Sequence, residues 1–243
     1  KTLIKAPAQN CGFSLNKDKQ ANYALCSVRN DDKSTFDSHS DLYRLGADGS
    51  WTRINSTKKD GLDLNVLGES DNGRIYATRS DRKKPAEFGL IDPQTAEFKS
   101  LFKNDIASIS GYIGAAKGED IIGLMTEAGA PEVTILDESH PDAIVYSNLA
   151  SAFPGELVRF TSATRDGDTI QFSVISDRNP GDLYLFDRKT NKARYLMSSR
   201  KIDKKRVAEV MPFDFTSRDG LKIHGFLTIP HGSDGKNMPM IVN

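Results

Sequence analysis

Cysteine is nearly absent from this 243-residue chain, which has two, and tryptophan occurs once. Two cysteines cannot staple a chain of this length, so its fold must rest on a packed apolar core. Neither has a partner at C-x-x-C spacing, which leaves a zinc site without support. An excess of one charge is also missing: 33 Lys+Arg stand against 33 Asp+Glu. Nucleic-acid binding usually needs a basic surface that displaces counterions from phosphates, so that class of partner is disfavoured. Long apolar runs are lacking too. The longest, such as Val133-Thr134-Ile135-Leu136 and Met240-Ile241-Val242, fall far short of the ~20 residues that cross a bilayer. The chain opens at Lys1 with no methionine and no signal-like apolar stretch, so a processed or excised N-terminus is expected.

What is present is a core-forming composition, 37% hydrophobic and 27% charged, arranged in a repeat. An acidic residue, a short apolar strand and an Asp-led turn recur at Asp41-Leu42-Tyr43-Arg44-Leu45, Glu87-Phe88-Gly89-Leu90-Ile91, Glu132-Val133-Thr134-Ile135-Leu136 and Asp182-Leu183-Tyr184-Leu185-Phe186. The acids at 41, 87, 132 and 182 lie 46, 45 and 50 positions apart, near the period of four-stranded propeller blades. Before each unit runs a β-forming segment: Tyr23–Val28, Ile75–Thr78, Ile121–Met125 and Ile170–Ile175. Each of these follows a polar turn such as Asp71-Asn72-Gly73 or Asp166-Gly167-Asp168, where Gly and Asn supply the positive φ a tight hairpin requires. After each unit a further strand is expected, at Trp51–Ile54, Phe98–Leu101, Ala143–Tyr146 and Ala193–Met197. Four antiparallel strands per repeat make a blade, so the fold class is all-β, with about four four-stranded blades of a larger propeller. Thr2-Leu3-Ile4 fits the last strand of a blade lying upstream.

Two near-copies, Ser80-Asp81-Arg82-Lys83-Lys84-Pro85 and Ser176-Asp177-Arg178-Asn179-Pro180, sit at equivalent places before the third strand. Their repetition reads as turn chemistry rather than a binding signature. If Lys17–Gln20 closes the first hairpin, Cys11 faces Cys26 across the strands. The pair is then either two buried thiols or a cross-strand disulfide, and the compartment stays open. Asn55-Ser56-Thr57 matches a glycosylation sequon, a short pattern that arises often by chance. Asp166-Gly167-Asp168 is too short for a calcium loop.

The phase breaks after Met197. A basic stretch through Arg206 leads to Val207–Met211, which reads as a short helix capped by Asp203. Then comes Phe213-Asp214-Phe215-Thr216-Ser217-Arg218-Asp219-Gly220, a hairpin turn, and Leu221–Ile229 with period-two alternation. Met238–Asn243 reads as the opening of a buried strand. The sequence from Phe215 to Pro230, with Arg218-Asp219-Gly220, Ile223-x-Gly225 and Ile229-Pro230, resembles the domain junction of prolyl oligopeptidase family serine peptidases, nearest the acylaminoacyl-peptidase and dipeptidyl-peptidase branches.

That resemblance implies residues 1–200 as a partial propeller, 201–211 as a linker, and 212–243 as the first strands of an α/β-hydrolase domain. It implies a parent enzyme that hydrolyses short peptides with a Ser-His-Asp triad, its propeller restricting access. The family's G-x-S-x-G elbow is not in this sequence. Gly68-Glu69-Ser70-Asp71-Asn72 lacks the second glycine, and His231-Gly232-Ser233-Asp234-Gly235 has the wrong spacing. His39, His140 and His231 fall in polar loops and His224 on a strand, so none suits a catalytic base. No catalytic, cofactor-binding or metal-ligating residue is assigned, and no cofactor is expected. The 243 residues alone are expected to be inactive, with peptide substrate and the remainder of the peptidase domain as partners of the longer protein. The alternative is a stand-alone propeller that acts as an interaction scaffold.

Overall fold

The computed structural model describes residues 4–203 and 206–242. These form two compact units, one running to Ser110 and including Gly118–Ile121, the other built from Gly111–Lys117 and the residues from Ile122 onward. Each is considered in itself.

The first unit carries two four-stranded antiparallel sheets. In the first, β1 (Cys11–Leu15), β2 (Ala21–Arg29), β3 (Phe36–Leu45) and β4 (Trp51–Ser56) pair in chain order. The β1–β2 hairpin closes as expected. Asn16 Oδ1 accepts from Asp18 N (3.0 Å) and Gln20 N (2.9 Å), and Lys19 takes the left-handed conformation, φ 60°. The register places Cys11 opposite Cys26, and the structure closes the alternative left open by the sequence: the two are joined in a disulfide. A one-turn helix, α1 (Thr57–Asp60), leads to the second sheet of β5 (Asp63–Glu69), β6 (Ile75–Ser80), β7 (Glu87–Ile91) and β8 (Phe98–Phe102). Period-two alternation sends Tyr23, Leu42, Leu64, Val66, Ile75, Ala77 and Ile91 into one core. Each such large apolar side chain contributes about 2 kcal/mol on leaving water. Gly89 is required inside β7, because a Cβ there would stand 2.1 Å from Lys99 O.

Strands β9 (Ile109–Gly114), β10 (Ile121–Thr126) and β11 (Glu132–Ile135) form a three-stranded sheet. The fourth strand expected at Ala143–Tyr146 is instead part of α2 (Pro141–Ser151). The correction has a physical cause. Pro141 occupies the first turn, where its fixed φ suits a helix and its missing N–H costs nothing. His140 Nδ1 caps the end by accepting from Asp142 N at 3.1 Å, while Ala143, Tyr146 and Leu149 recur on one buried face at helical spacing. That face joins a core with Val158, Ile170, Phe172, Val174 and Phe186. Tyr146 donates to Val158 O at 3.0 Å, and burial pushes its hydroxyl up to about 12. At the helix start, Asp142 accepts from Ala116 N at 2.6 Å and forms an ion pair with Arg188.

The fourth sheet is complete: β12 (Leu157–Ala163), β13 (Thr169–Ser176), β14 (Asn179–Asp187) and β15 (Lys192–Ser198). Phe172 and Tyr184 stack at 5.2 Å, and Phe153 closes on both.

Beyond it, β16 (Val210–Thr216) and β17 (Lys222–Thr228) pair as a hairpin around Asp219-Gly220. The short helix expected through Val207–Met211 is not formed: Val207–Glu209 belong to no helix and a strand begins at Val210, in keeping with Pro212, which disfavours helical backbone at Met211; Lys204 and Lys205 of that stretch lie outside the described residues. Met211, Phe213, Phe215, Ile223 and Leu227 share one face of the hairpin and are 38–50% exposed. Phe213 lies over Gly225, where a Cβ would come within 2.8 Å of the ring. The buried strand expected from Met238 onward is not formed over 238–242: Met240, Ile241 and Val242 are 76–87% exposed, and Asn243 lies outside the described residues. Of the expected N-terminal strand, Thr2 and Leu3 lie outside them too, and Ile4 belongs to no strand.

Candidate functional site

Polar side chains concentrate where β2 joins β3, β4 joins β5, β6 joins β7 and β13 joins β14, at the same end of each sheet in chain topology. In the first unit Arg82 is the hub. It sits at φ 62°, its own amide held by Ser80 Oγ at 3.0 Å. Its guanidinium grips Asp63 through both oxygens, Nε to Oδ2 at 2.5 Å and Nη2 to Oδ1 at 2.9 Å, and reaches Ser38 Oγ at 3.1 Å. That fork is the arrangement in which arginine binds a carboxylate best. Hydrogen bonding from Arg82 holds the Asp63 carboxyl below its ordinary range against the opposing effect of burial. Thr57 Oγ1 adds a further bond to Asp63 at 2.6 Å. Nearby, Asp37 is lowered first by the backbone N–H of His39.

In the second unit the hub is Asn179, which is 1% exposed. Its Nδ2 donates to Asp182 Oδ2 at 3.1 Å and to the Glu156 carboxylate at 3.3 Å, and its Oδ1 accepts from Gly181 N at 3.1 Å. Beside it Asp177 Oδ2 accepts from Val210 N at 2.7 Å, which ties the start of β16 to the β13–β14 connection. The two Ser-Asp-Arg loops thus use their serines and, in the first copy, the aspartate as turn caps, with Lys83 N and Lys84 N both 3.0 Å from Asp81 Oδ1. The onward reach of Arg82 and Asp177 has no counterpart in turn statistics, and only their position before a third strand hinted at it.

The residues weighed for chemistry are scattered. Ser70 is fully buried and donates to Asn72 Oδ1 at 2.6 Å, so it is closed to substrate. Ser233 lies in an exposed loop, where Gly235 N donates to it at 3.0 Å. His39 stands 3.0 Å from Asp37 Oδ1, His140 caps α2, His224 lies exposed opposite Asp214 in the hairpin, and His231 is exposed. Among the described residues no serine hydroxyl is hydrogen-bonded to any of them. Nor, among those residues, do three His, Cys, Asp or Glu side chains converge so as to hold a metal ion. Asn55 of the sequon is 9% exposed and donates to Asp60 Oδ2 at 3.2 Å, which buries the amide a glycan would need. No helix of the described residues is long and apolar enough to cross a membrane. These networks can position backbone and dock a neighbouring segment. They hold no nucleophile paired with a base.

No family model matches the chain. Among curated proteins it is similar to dipeptidyl aminopeptidase BIII of Pseudoxanthomonas mexicana, 23% identical over 97% of this chain and 33% of that protein. It is also similar to dipeptidyl peptidase family member 6 of Caenorhabditis elegans, 26% identical over 64% of this chain and 21% of that one. Among solved structures, puromycin hydrolase aligns at TM-score 0.53 with 18% identity, covering 92% of this chain and 34% of its own. Prolyl oligopeptidase B of Galerina marginata aligns at 0.55 with 12% identity, covering 96% and 33%. The chain therefore spans a third or less of the curated relatives it matches, and its antiparallel sheets match the β-propeller part of the solved ones.

Proposed function

We propose that the chain is a member of the prolyl oligopeptidase family of serine peptidases, and that it is the propeller side of a peptidase that cleaves short peptides. Residues 1–200 form blades that restrict access, 201–211 connect, and 212–243 begin the α/β-hydrolase domain. The Ser-His-Asp triad is supplied from outside these 243 residues. A rigid ring of blades excludes folded proteins by size alone, so gating needs no single side chain here.

The observation that carries this reading is the hairpin Val210–Thr228. It follows the fourth sheet directly, is pinned to it by Asp177, and leaves the face of Met211, Phe213, Phe215, Ile223 and Leu227 bare. A stand-alone scaffold has no use for such a face, whereas the edge of a larger sheet domain does. Two measurements test it. The coding sequence past residue 243 is expected to contain G-x-S-x-G, and its absence would overturn the reading. The 243-residue chain, given a fluorogenic dipeptide substrate, is expected to show no turnover; cleavage blocked by a serine-directed reagent would overturn the assignment of the triad.

A further inference from the structure

The acids that mark the repeat differ in how completely they are satisfied. Asp182 uses both oxygens, with Ser198 Oγ on Oδ1 at 2.6 Å and Asn179 Nδ2 on Oδ2 at 3.1 Å. Glu87 faces Arg79 across the strands and accepts from its Nη2 at 3.0 Å. Asp41 occupies the corresponding place in the first sheet, and its Oδ2 accepts from Arg53 Nη1 at 3.1 Å. Its Oδ1 is buried and has no hydrogen-bond partner. The residue directly opposite Asp41, where the second sheet has Arg79, is Cys26, 1% exposed and bridged to Cys11. Directly opposed side chains lie on one face with Cβ atoms about 5 Å apart. A disulfide sulfur has no proton to give; a thiol has one. Cys11 Sγ likewise lies 3.2 Å from a carbonyl, Ala8 O.

We propose that Cys11–Cys26 is a reversible redox pair whose reduced form is stabilised by a Cys26 S–H···Asp41 Oδ1 hydrogen bond. An orphaned buried carboxylate oxygen is costly, and reduction supplies its missing donor. The reductant is a dithiol. Its thiolate attacks Cys11 Sγ, the more exposed sulfur; the S–S bond breaks, and the electron pair leaves with Cys26, which takes a proton from solvent. The second thiol of the reductant attacks the mixed disulfide and leaves as part of a cyclic disulfide, and Cys11 is protonated in turn. Two electrons pass, and both cysteines end as thiols with an acceptor in place. Reduction frees β1 of its covalent tie to β2, leaving it held by its ladder and by Ser14 Oγ donating to Val66 O at 3.0 Å. This inference is independent of the peptidase reading.

The test equilibrates the 243-residue chain with mixtures of reduced and oxidised dithiothreitol, traps free thiols by alkylation and reads the mass. A single reversible two-electron transition is expected, with the reduced chain retaining its β-sheet circular dichroism; unfolding on reduction would overturn the proposal. Asp41→Ala is expected to make the pair about tenfold harder to reduce, the scale of a hydrogen bond to a charged acceptor, while Lys58→Ala, which removes an ammonium paired with Asp31, leaves the midpoint at the wild-type value. Should Asp41→Ala fail to fold, the Raman spectrum of Cys11→Ser, in which Cys26 carries the one thiol, decides. An S–H band shifted to low wavenumber supports the bond to Asp41, and a band at the free-thiol position excludes it.

Discussion

The loops that start Ser80-Asp81-Arg82 and Ser176-Asp177-Arg178 begin as copies and end with different tasks. The first connects β6 to β7 through six residues, 81–86, and swings Arg82 across to Asp63 and Ser38. The second has only Asp177 and Arg178 between β13 and β14. That tight connection brings Asn179 into the core, frees Asp177 to hold Val210 N, and leaves the exposed Arg178 guanidinium without a hydrogen bond among the described residues. The position matching Asp63 is Glu156, since Asp63 pairs with Ser80 and Leu157 with Ile175. Glu156 is already taken by Asn179. One motif therefore makes an inter-strand staple where the loop is long, and an anchor for the following hairpin where it is short. Loop length, not the triplet, selects the task.

The largest expected effect falls on the short loop. Asn179→Ala removes the donor shared by two carboxylates and the acceptor for Gly181 N, all in a buried setting. It is expected to cost about 3 kcal/mol, read as the shift in urea midpoint at constant slope. If it costs no more than an ordinary surface change, the contrast between a buried hub and an exposed one fails. Next is Asp177→Ala. Its loss is expected to be local: faster hydrogen exchange at Val210 and along β16–β17, with the fourth sheet unchanged. Equal protection in both proteins would show that the hairpin is held by something other than that bond.

The sheets themselves were largely legible in the sequence, because side-chain alternation and Asp/Gly turns act over a few residues. The Cys11–Cys26 register followed from one hairpin turn. The helix α2 was not read, since Ile144, Val145 and Tyr146 mimic a strand and Ile144 is half exposed, which blurs the helical stripe. The signal that could have found it was His140-Pro141-Asp142, a cap, a first-turn proline and a first-turn acid. The polar hubs were not legible because Arg82 meets Ser38 from 44 residues away and Asp177 meets Val210 from 33 away. Such meetings depend on how strands stack, and no local pattern encodes them.

Arg82→Ala probes the exposed member of the comparison, and its effect is expected to be smaller than that of Asn179→Ala because both partners are partly solvated. Its pH dependence gives the sharper test. Hydrogen bonding from Arg82 lowers the folded-state pKa of Asp63 below the unfolded value of about 3.8. A carboxyl shifted in that direction stabilises the fold above its unfolded pKa and loses that contribution as pH falls through the folded one. The Tm gap between wild type and Arg82→Ala is therefore expected in full at pH 6, should begin to narrow near the unfolded value of about 3.8, and should close only once the pH lies below the folded-state value. A gap that persists in acid would mean that Arg82 acts through its stem or through Ser38 rather than through Asp63. Arg178→Ala completes the series. With Glu156 occupied by Asn179 and the guanidinium in solvent, no shift in Tm is expected at any pH. A loss matching that of Arg82→Ala would mean that the short loop staples its neighbours after all, and that loop length does not separate the two copies.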